Sequence, residues 1–234
     1  MLLQHVGGLS RARIVLASGS PRRRELLHSI GLKFEVCVST FDELLPHGEF
    51  KRADHYAIET ARHKAMDVMH ILSLNGKPED KPVDLIISAD TVVETGGRIL
   101  EKPDDAAHAK LMLKSLCGSK HHVHTGVVLV VPQSGPAAGV PPGAGDSIDE
   151  GWLVRAFSCS TEVEFEDLDD GTLDAYVASG EPFGKAGAYA IQGLAGSFVR
   201  RIDGCFYNVV GFPVNEFSKQ LLRLIDEGHL PLDE

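Results

Sequence analysis

The spacing of apolar residues along the chain predicts strands and helices that follow one another in alternation. Short apolar runs over 13–16 and 84–89 are typical of buried strands. Apolar residues recur at helical spacing over 53–74 and again over 213–225, which predicts two amphipathic helices. Because strands alternate with helices and no internal repeat is present, we expect an α/β protein with a mixed sheet.

Turn residues divide the rest of the chain into shorter elements. Further strands are predicted over 33–38, 121–131, 153–165 and 197–202, with a hairpin of 92–94 against 98–100. Further helices are predicted over 21–30, 104–116 (capped by Asp104) and 169–179. Between 132 and 151 the residues are mostly Pro, Gly, Ala and Ser, which predicts a mobile surface loop inserted between two paired strands.

The composition narrows the class of protein. A hydrophobic content of 43% with 24% charged residues is ordinary for a globular chain of 234 residues. The formal net charge of -10 argues against a general affinity for nucleic acid or membrane surfaces. The four cysteines are widely spaced, so neither a zinc site nor a disulfide framework is predicted. Since no apolar run has the length of a membrane span and no leader pattern is present, we expect a cytoplasmic protein.

Three arginines in the first turn of the helix over 21–30 are the strongest local sign of a ligand. Ser20 is a suitable N-cap for this helix. A helix N-terminus already carries partial positive charge, so Arg22, Arg23 and Arg24 are each unfavourable there by a few tenths of a kcal/mol. A phosphate would explain them, because free N–H groups, hydroxyls and guanidinium groups would meet on one anion. A solvated basic face would explain them as well, and this segment alone leaves both interpretations open.

Other polar residues extend this chemistry. Asp90 follows the predicted strand over 84–89, and carboxylates at such strand ends often face a ligand crevice. Several cations beside carboxylates suit a metal-assisted reaction on a polyphosphate, with metal activation of the water because an ordinary aspartate is a weak base. From the residues alone, a phosphate-ester hydrolase and a nucleotide-binding protein both stay open. The candidate residues are Ser18, Arg22, Arg23, Glu43, Lys64, Asp90, Lys102, Lys185 and Gln192.

Five short motifs stand in order along the chain: LASGSPRR at 16–23, SADTVV at 88–93, EKP at 101–103, TGV at 125–127 and GKAGAYAIQG at 184–193. Together they resemble the Maf (septum formation) family of nucleoside triphosphate pyrophosphatases. The resemblance covers 14–225. It implies an elongated mixed sheet with flanking helices, similar to the inosine triphosphatase-like enzymes, in a single domain over 1–234 with two lobes around a cleft.

The resemblance also implies an activity and a set of site residues. Hydrolysis would fall between the α- and β-phosphates, with Mg²⁺ or Mn²⁺ as cofactor. Asp90 would be the general base, and Glu43 and Asp90 would hold the metal. The implied catalytic residues are Asp90, Lys102, Lys64 and Glu43, and the implied substrate-binding residues are Ser18, Arg22, Arg23, Thr91, Lys185 and Gln192.

Two branches of the family differ in substrate. Arg22, Thr91 and Gln192 match the branch that acts on dTTP and UTP, whereas a branch that acts on 7-methyl-GTP carries other residues at these places. We therefore expect a pyrimidine nucleoside triphosphate as partner, with no nucleic acid and no membrane. The alternatives are a 7-methyl-GTP-type pyrophosphatase and a non-catalytic nucleotide-binding regulator of cell division. A homodimer is a candidate assembly, and the sequence does not fix the subunit count.

Overall fold

A mixed eight-stranded sheet organises the computed structural model, which describes residues 2–43, 45–75, 80–134 and 137–232. The strand order is β2-β1-β3-β5-β7-β6, with β4 paired to β3 and β8 paired to β7. β1 pairs in parallel with β2 and β3, and the other pairings are antiparallel, which confirms the expected α/β class with a mixed sheet. The strands are β1 (Ile14–Leu16), β2 (Glu35–Val36), β3 (Leu85–Thr95), β4 (Arg98–Leu100), β5 (Lys120–Pro132), β6 (Ser147–Asp149), β7 (Trp152–Phe165) and β8 (Val199–Asp203).

Helices cover both faces of the sheet. The helices are α1 (Val6–Leu9), α2 (Pro21–Ser29), α3 (Ala53–Asn75), α4 (Ala106–Leu116), α5 (Asp170–Ala178), α6 (Phe206–Val210) and α7 (Val214–Asp226). On one face, Ala61 and Val68 of α3 pack against Ile86 and Val128. Leucines of α2, α4, α5 and α7 form the larger core on the other face. Within the described ranges, no helix is long and apolar enough to cross a membrane.

β3 runs on past the end of β1, and this difference in length creates the site. β1 has three residues and β3 has eleven. The prediction that the strand ends at Ala89 is wrong, because β5 pairs with β3 from Ile86 to Glu94 and holds Asp90 and Thr91 inside the sheet. Successive strand residues point to opposite faces, so Asp90 faces α3 and Thr91 faces the other side.

Other predicted elements are present with shifted ends. The strand over 33–38 is reduced to two residues, and the one over 197–202 lies at Val199–Asp203. α4 is capped by Asp105, whose carboxylate accepts a hydrogen bond from the His108 amide at 2.7 Å, and Asp104 as the cap is wrong. α6 was not predicted, because a helix of five residues is too short to give a repeat of apolar positions.

The segment over 132–151 contains more regular structure than the loop that its composition predicts. β5 extends to Pro132, and β6 lies within the segment and pairs with β7. The buried carboxylate of Asp146 accepts two hydrogen bonds from Arg155 of β7, at 2.9 and 2.7 Å, and Arg155 also pairs with Glu227. These partners are distant in sequence, so local composition cannot predict them. Residues 135 and 136 lie outside the described part, and the division into lobes stays a prediction.

α3 packs so closely on β5 that only glycine fits at position 126. A methyl group at Gly126 would lie 2.3 Å from the backbone nitrogen of Ile58 and 2.4 Å from the carbonyl carbon of Ala57. These are backbone atoms, so a side chain at 126 would have to displace the whole helix. Gly126 therefore sets the distance between the sheet and the helix that carries Lys64.

We expect Gly126→Ala to lower the free energy of unfolding by about 3 kcal/mol, the cost of overpacking a tight contact. Urea denaturation followed by circular dichroism measures this change. Gly7→Ala is the matched control, because a methyl group at Gly7 in α1 meets nothing within 4 Å. The control should change the unfolding free energy by about 1 kcal/mol or less. Equal effects of the two substitutions would contradict the close-packing argument.

Candidate active site

A cleft of about 690 Å³ lies beside β3, where β1 has ended and the N-terminus of α2 begins. Every residue that the sequence singled out for the site lines this cleft. Its charged lining is Arg22, Arg23, Lys64, Lys102 and Lys185 against Glu25, Glu43 and Asp90. A protein with a net charge of -10 thus concentrates positive charge at one place, which favours an anionic ligand.

Four charged side chains of alternating sign form a chain along the wall of the cleft. The Lys64 ammonium lies 2.8 Å from Oδ1 of Asp90 and 2.9 Å from Oε1 of Glu43. The Lys102 ammonium lies 2.9 Å from Oε2 of Glu43. The side chains of Lys64 and Asp90 are only 8% and 10% exposed, so burying either charge without its partner would be costly.

The two lysines keep Glu43 in its charged form. Burial raises the pKa of Glu43, but the charge of Lys64 and hydrogen bonds from Lys102 and Lys64 outweigh it and lower the pKa to about 2. A carboxylate with so low a pKa is a poor proton acceptor at neutral pH. Glu43 is therefore better suited to act as an oxygen ligand than as a general base.

The carboxylates offer the oxygen ligands that Mg²⁺ prefers, and that Mn²⁺ accepts. Of the two carboxylate oxygens of Asp90, only Oδ1 has a hydrogen-bond partner among the described residues, which leaves Oδ2 for a further ligand. The donor set fits the predicted cation, and the assignment of Glu43 and Asp90 as its ligands stays a prediction. A compact group of Asp146, Glu227 and His229 lies elsewhere, and there Arg155 already pairs with both carboxylates.

Arg23 fills the sheet edge that β1 leaves open. Its guanidinium donates to the Ala89 carbonyl at 2.7 Å, to Ser18 Oγ at 3.1 Å, to Thr91 Oγ1 at 3.0 Å and to the Gly211 carbonyl at 3.0 Å. Four of the roughly five N–H groups of an arginine are thereby used within the protein. Its contact with substrate stays a prediction, whereas its bonds to β3 and Gly211 are structural.

The three arginines of α2 therefore have different surroundings. Arg22 is half-buried and lines the cleft, and Arg24 donates to the Gly19 carbonyl at 3.3 Å near the surface. Burial and the positive charge of Arg22 lower the pKa of Lys185. An anion between these two cations would relieve their repulsion. Ser20 caps the helix as predicted, accepting a hydrogen bond from the Arg23 amide.

Glu181 shapes the turn that carries Gln192 on the opposite wall. Its carboxylate accepts hydrogen bonds from the amides of Leu194 and Ala195, at 2.9 and 3.2 Å, and from the Tyr176 hydroxyl at 3.0 Å. A methyl group at Gly193 would lie 2.2 Å from a carboxylate oxygen of Glu181, so a larger residue there would push this carboxylate away from its hydrogen bonds. Gln192 is exposed at this turn and lines the cleft.

Sequence reasoning missed the wall formed by α6 and the residue that follows it. Val209, Val210 and Gly211 line the cleft. Asn208, which is fully buried, holds α6 against the sheet by donating to the Val123 carbonyl at 2.9 Å and to Thr161 Oγ1 at 3.0 Å. An asparagine within an apolar run was the one signal for this wall, because a buried amide requires such partners.

The fold and the cleft define an α/β protein with a cation-rich ligand site that carries carboxylates. The chain belongs to the Maf-like protein family, which matches residues 13–224. The chain is similar to the "Probable bifunctional dTTP/UTP pyrophosphatase/methyltransferase protein" of Homo sapiens, with 43% identity over 94% of this chain. The matched part makes up 33% of that relative, so the chain spans about a third of its length. It is also similar to two proteins named "dTTP/UTP pyrophosphatase". The one from Clostridium perfringens is 40% identical over 89% of this chain and 95% of its own length, and the one from Bacillus cereus is 36% identical over 98% and 100%.

We expect Arg23→Lys to lower the free energy of unfolding by about 3 kcal/mol, because an ammonium cannot reach acceptors on three separate segments and leaves buried carbonyls without donors. Thermal and urea denaturation measure this loss. Arg24→Lys is the matched control one position later, with an expected change of about 0.5 kcal/mol or less. An Arg23→Lys protein as stable as the control would show that the four bonds contribute little.

Proposed function

We propose that this protein hydrolyses nucleoside triphosphates, with dTTP and UTP as the first candidates, to the nucleoside monophosphate and pyrophosphate. The observation that carries the proposal is the buried pair of Asp90 and Lys64 on the wall of a cation-rich cleft. The names of the curated relatives support the choice of substrate.

In this proposal the cations of the cleft bind the triphosphate. Arg22, Lys102 and Lys185 surround the space where the phosphates would lie, and the Ser18 hydroxyl lies at the N-terminus of α2. Positive charges fixed around the phosphates stabilise the charge that moves onto the leaving group. Gln192 and Thr91 are assigned to the base and its surroundings.

Asp90 is assigned to the attacking water. The Asp90 carboxylate takes a proton from the water while the water oxygen bonds to the α-phosphorus. The bond between that phosphorus and the oxygen that bridges it to the β-phosphorus breaks. Pyrophosphate leaves with the bonding electron pair. Lys64 holds Asp90 in the orientation that this proton transfer needs. A divalent cation held by Glu43 and Asp90 would lower the pKa of the water and neutralise phosphate charge.

The proposal includes a cellular setting. The ligand is a free nucleotide, without nucleic acid or membrane as partner, and the cytoplasm is the proposed compartment. The overall acidity of the chain supports this part of the proposal, because a polyanion would be repelled outside the cleft. A homodimer is the proposed assembly to test by light scattering.

We expect Asp90→Asn to lower kcat for pyrophosphate release by about 10²- to 10⁴-fold, because an amide cannot accept the proton. Pyrophosphate release from dTTP and UTP with Mg²⁺ or Mn²⁺ is the measurement, and circular dichroism checks the fold. Asp174→Asn is the control, since Asp174 pairs with Lys110 at the surface away from the cleft. A folded Asp90→Asn protein with unchanged turnover would refute the role of Asp90. A wild-type protein that binds dTTP without releasing pyrophosphate would instead be a nucleotide-binding regulator.

We expect Gln192→Glu to lower the preference for dTTP and UTP over 7-methyl-GTP by about 10-fold, because a carboxylate keeps the acceptors of the amide and loses its donors. The ratio of kcat/KM values across the three nucleotides measures this preference. Gln4→Glu, near the N-terminus and away from the cleft, controls for the added negative charge. If the ratio of kcat/KM values across the three nucleotides does not change, Gln192 has no part in base selection.

A further inference from the structure

Glu101 joins two segments that carry cleft residues, although its own side chain does not line the cleft. One carboxylate oxygen accepts a hydrogen bond from the Tyr56 hydroxyl at 2.6 Å, and the other lies 3.0 Å from Nε2 of His47. Tyr56 belongs to α3, and His47 lies in the turn His47–Glu49 that follows the loop of Glu43. The carboxylate thus bridges α3 and the turn that precedes this helix in the chain.

Tyr56 connects this bridge to the charged chain in the cleft. It is fully buried, and its hydroxyl lies 3.5 Å from the carbonyl oxygen of Glu43. Tyr56 and Lys64 are eight residues apart on α3, so they lie on the same face of the helix, two turns from each other. The ring of His47 packs edge-on against Tyr56 at a centroid distance of 4.9 Å. The loop of Glu43 is therefore held at its backbone, through Tyr56, and at His47.

Glu101 also adjoins Lys102 in the chain. Lys102 pairs with Glu43, so Glu101 is next in the chain to one member of that pair and contacts the backbone of the other through Tyr56. Its backbone has a separate task, since the Glu101 carbonyl accepts a hydrogen bond from the Gly187 amide at 3.0 Å, in the segment of Lys185. Removing the side chain leaves this backbone bond in place, so the contribution of the carboxylate can be measured by itself.

We propose that Glu101 is a positioning residue whose carboxylate, through Tyr56 and His47, holds Glu43 and Lys102 in the arrangement that the reaction requires. This inference rests on the proposed function for its kinetic consequence, but its geometric consequence is independent of any activity. A displacement of about 1 Å of groups that orient a reactant can cost up to 10²-fold in rate. Glu101 touches no cleft ligand in this assignment and acts only through its neighbours.

Amine labelling tests the geometry without catalysis. Lys102 and Lys120 have similar exposure, 57% and 55%, and each pairs with a glutamate. Of these two glutamates, only Glu43, the partner of Lys102, is held in place by the contacts of Glu101 with Tyr56 and His47. Under limiting acetic anhydride, quantified by peptide mass spectrometry, Glu101→Ala and Tyr56→Phe should each raise the labelling of Lys102 relative to Lys120 severalfold. An unchanged ratio in both folded variants would overturn the proposal, whatever the protein's activity.

Kinetics then separate positioning from stability. Glu101→Ala should lower kcat for pyrophosphate release by about 10- to 100-fold, with a smaller change in KM. Glu101→Gln keeps an acceptor for the Tyr56 hydroxyl and should restore most of the loss. The Tyr56→Phe effect should not add to that of Glu101→Ala in the double variant, because both remove the same bond. If Mn²⁺ lies on Glu43, its affinity measured by electron paramagnetic resonance should fall in Glu101→Ala.

The controls distinguish this inference from the function on which it rests. Glu94→Ala is matched, because Glu94 also has an imidazole neighbour, with 3.7 Å to Nε2 of His124, and lies outside the cleft. It should retain the wild-type kcat. If Glu101→Ala loses thermal stability while kcat per folded molecule stays at the wild-type value, Glu101 is merely structural and the proposal fails. A wild-type protein that releases no pyrophosphate would refute the proposed function, and the labelling ratio would still decide the role of Glu101.

Discussion

The ion pair of Lys64 with Asp90 is the interaction on which the site depends. It joins a helix to a strand in a buried place, where each charge would be costly without the other. The pair forms because α3 lies directly on β5 at Gly126, which brings the helix axis closer than a side chain would allow. The close backbone approach on the neighbouring strand thus sets how near Lys64 of α3 lies to Asp90 of β3.

The second constraint is the early end of β1. A strand that continues beside a shorter neighbour exposes backbone carbonyls that need donors. Arg23 supplies a donor to Ala89 and bonds the Thr91 side chain, and it reaches the Gly211 carbonyl on the far wall of the cleft. One guanidinium therefore replaces the missing strand and joins both walls. The gap beside it remains as a space in which a ligand can lie, with the N-terminus of α2 at its edge.

The distribution of charge differs between this space and the rest of the surface. The surface carries the net negative charge of the chain, and the cleft carries cations that are partly neutralised by Glu43 and Asp90. Because Lys64 and Lys102 both contact Glu43, a ligand that draws either lysine away also changes the environment of the carboxylate. Binding of an anion and the availability of oxygen ligands for a cation are therefore coupled through these two lysines. Glu101 lies outside the cleft and holds Glu43 and Lys102 in position through Tyr56 and His47.

The sequence by itself determined the class of fold, the family and most of the charged residues that meet in the cleft. Periodicity was sufficient for α3, for the hairpin of β3 with β4 and for α7, because each is long enough, or has a clear enough turn, for local preferences to dominate. The motifs contain the predicted site residues other than Glu43 and Lys64, because each motif keeps a set of residue types together over a short stretch of chain. Neither signal contains distances between segments.

Only the tertiary structure decided what those residues do to one another. Period-two alternation within a longer β3 sends Asp90 and Thr91 to opposite faces, which the expected strand end at Ala89 had hidden. Burial of Arg23, the wall formed by α6, the anchoring of Asp146 by Arg155 and the bridge at Glu101 all join residues far apart in the chain. Such contacts depend on strand order and helix packing, and a hydrogen bond between distant segments leaves no periodic trace in the sequence of either.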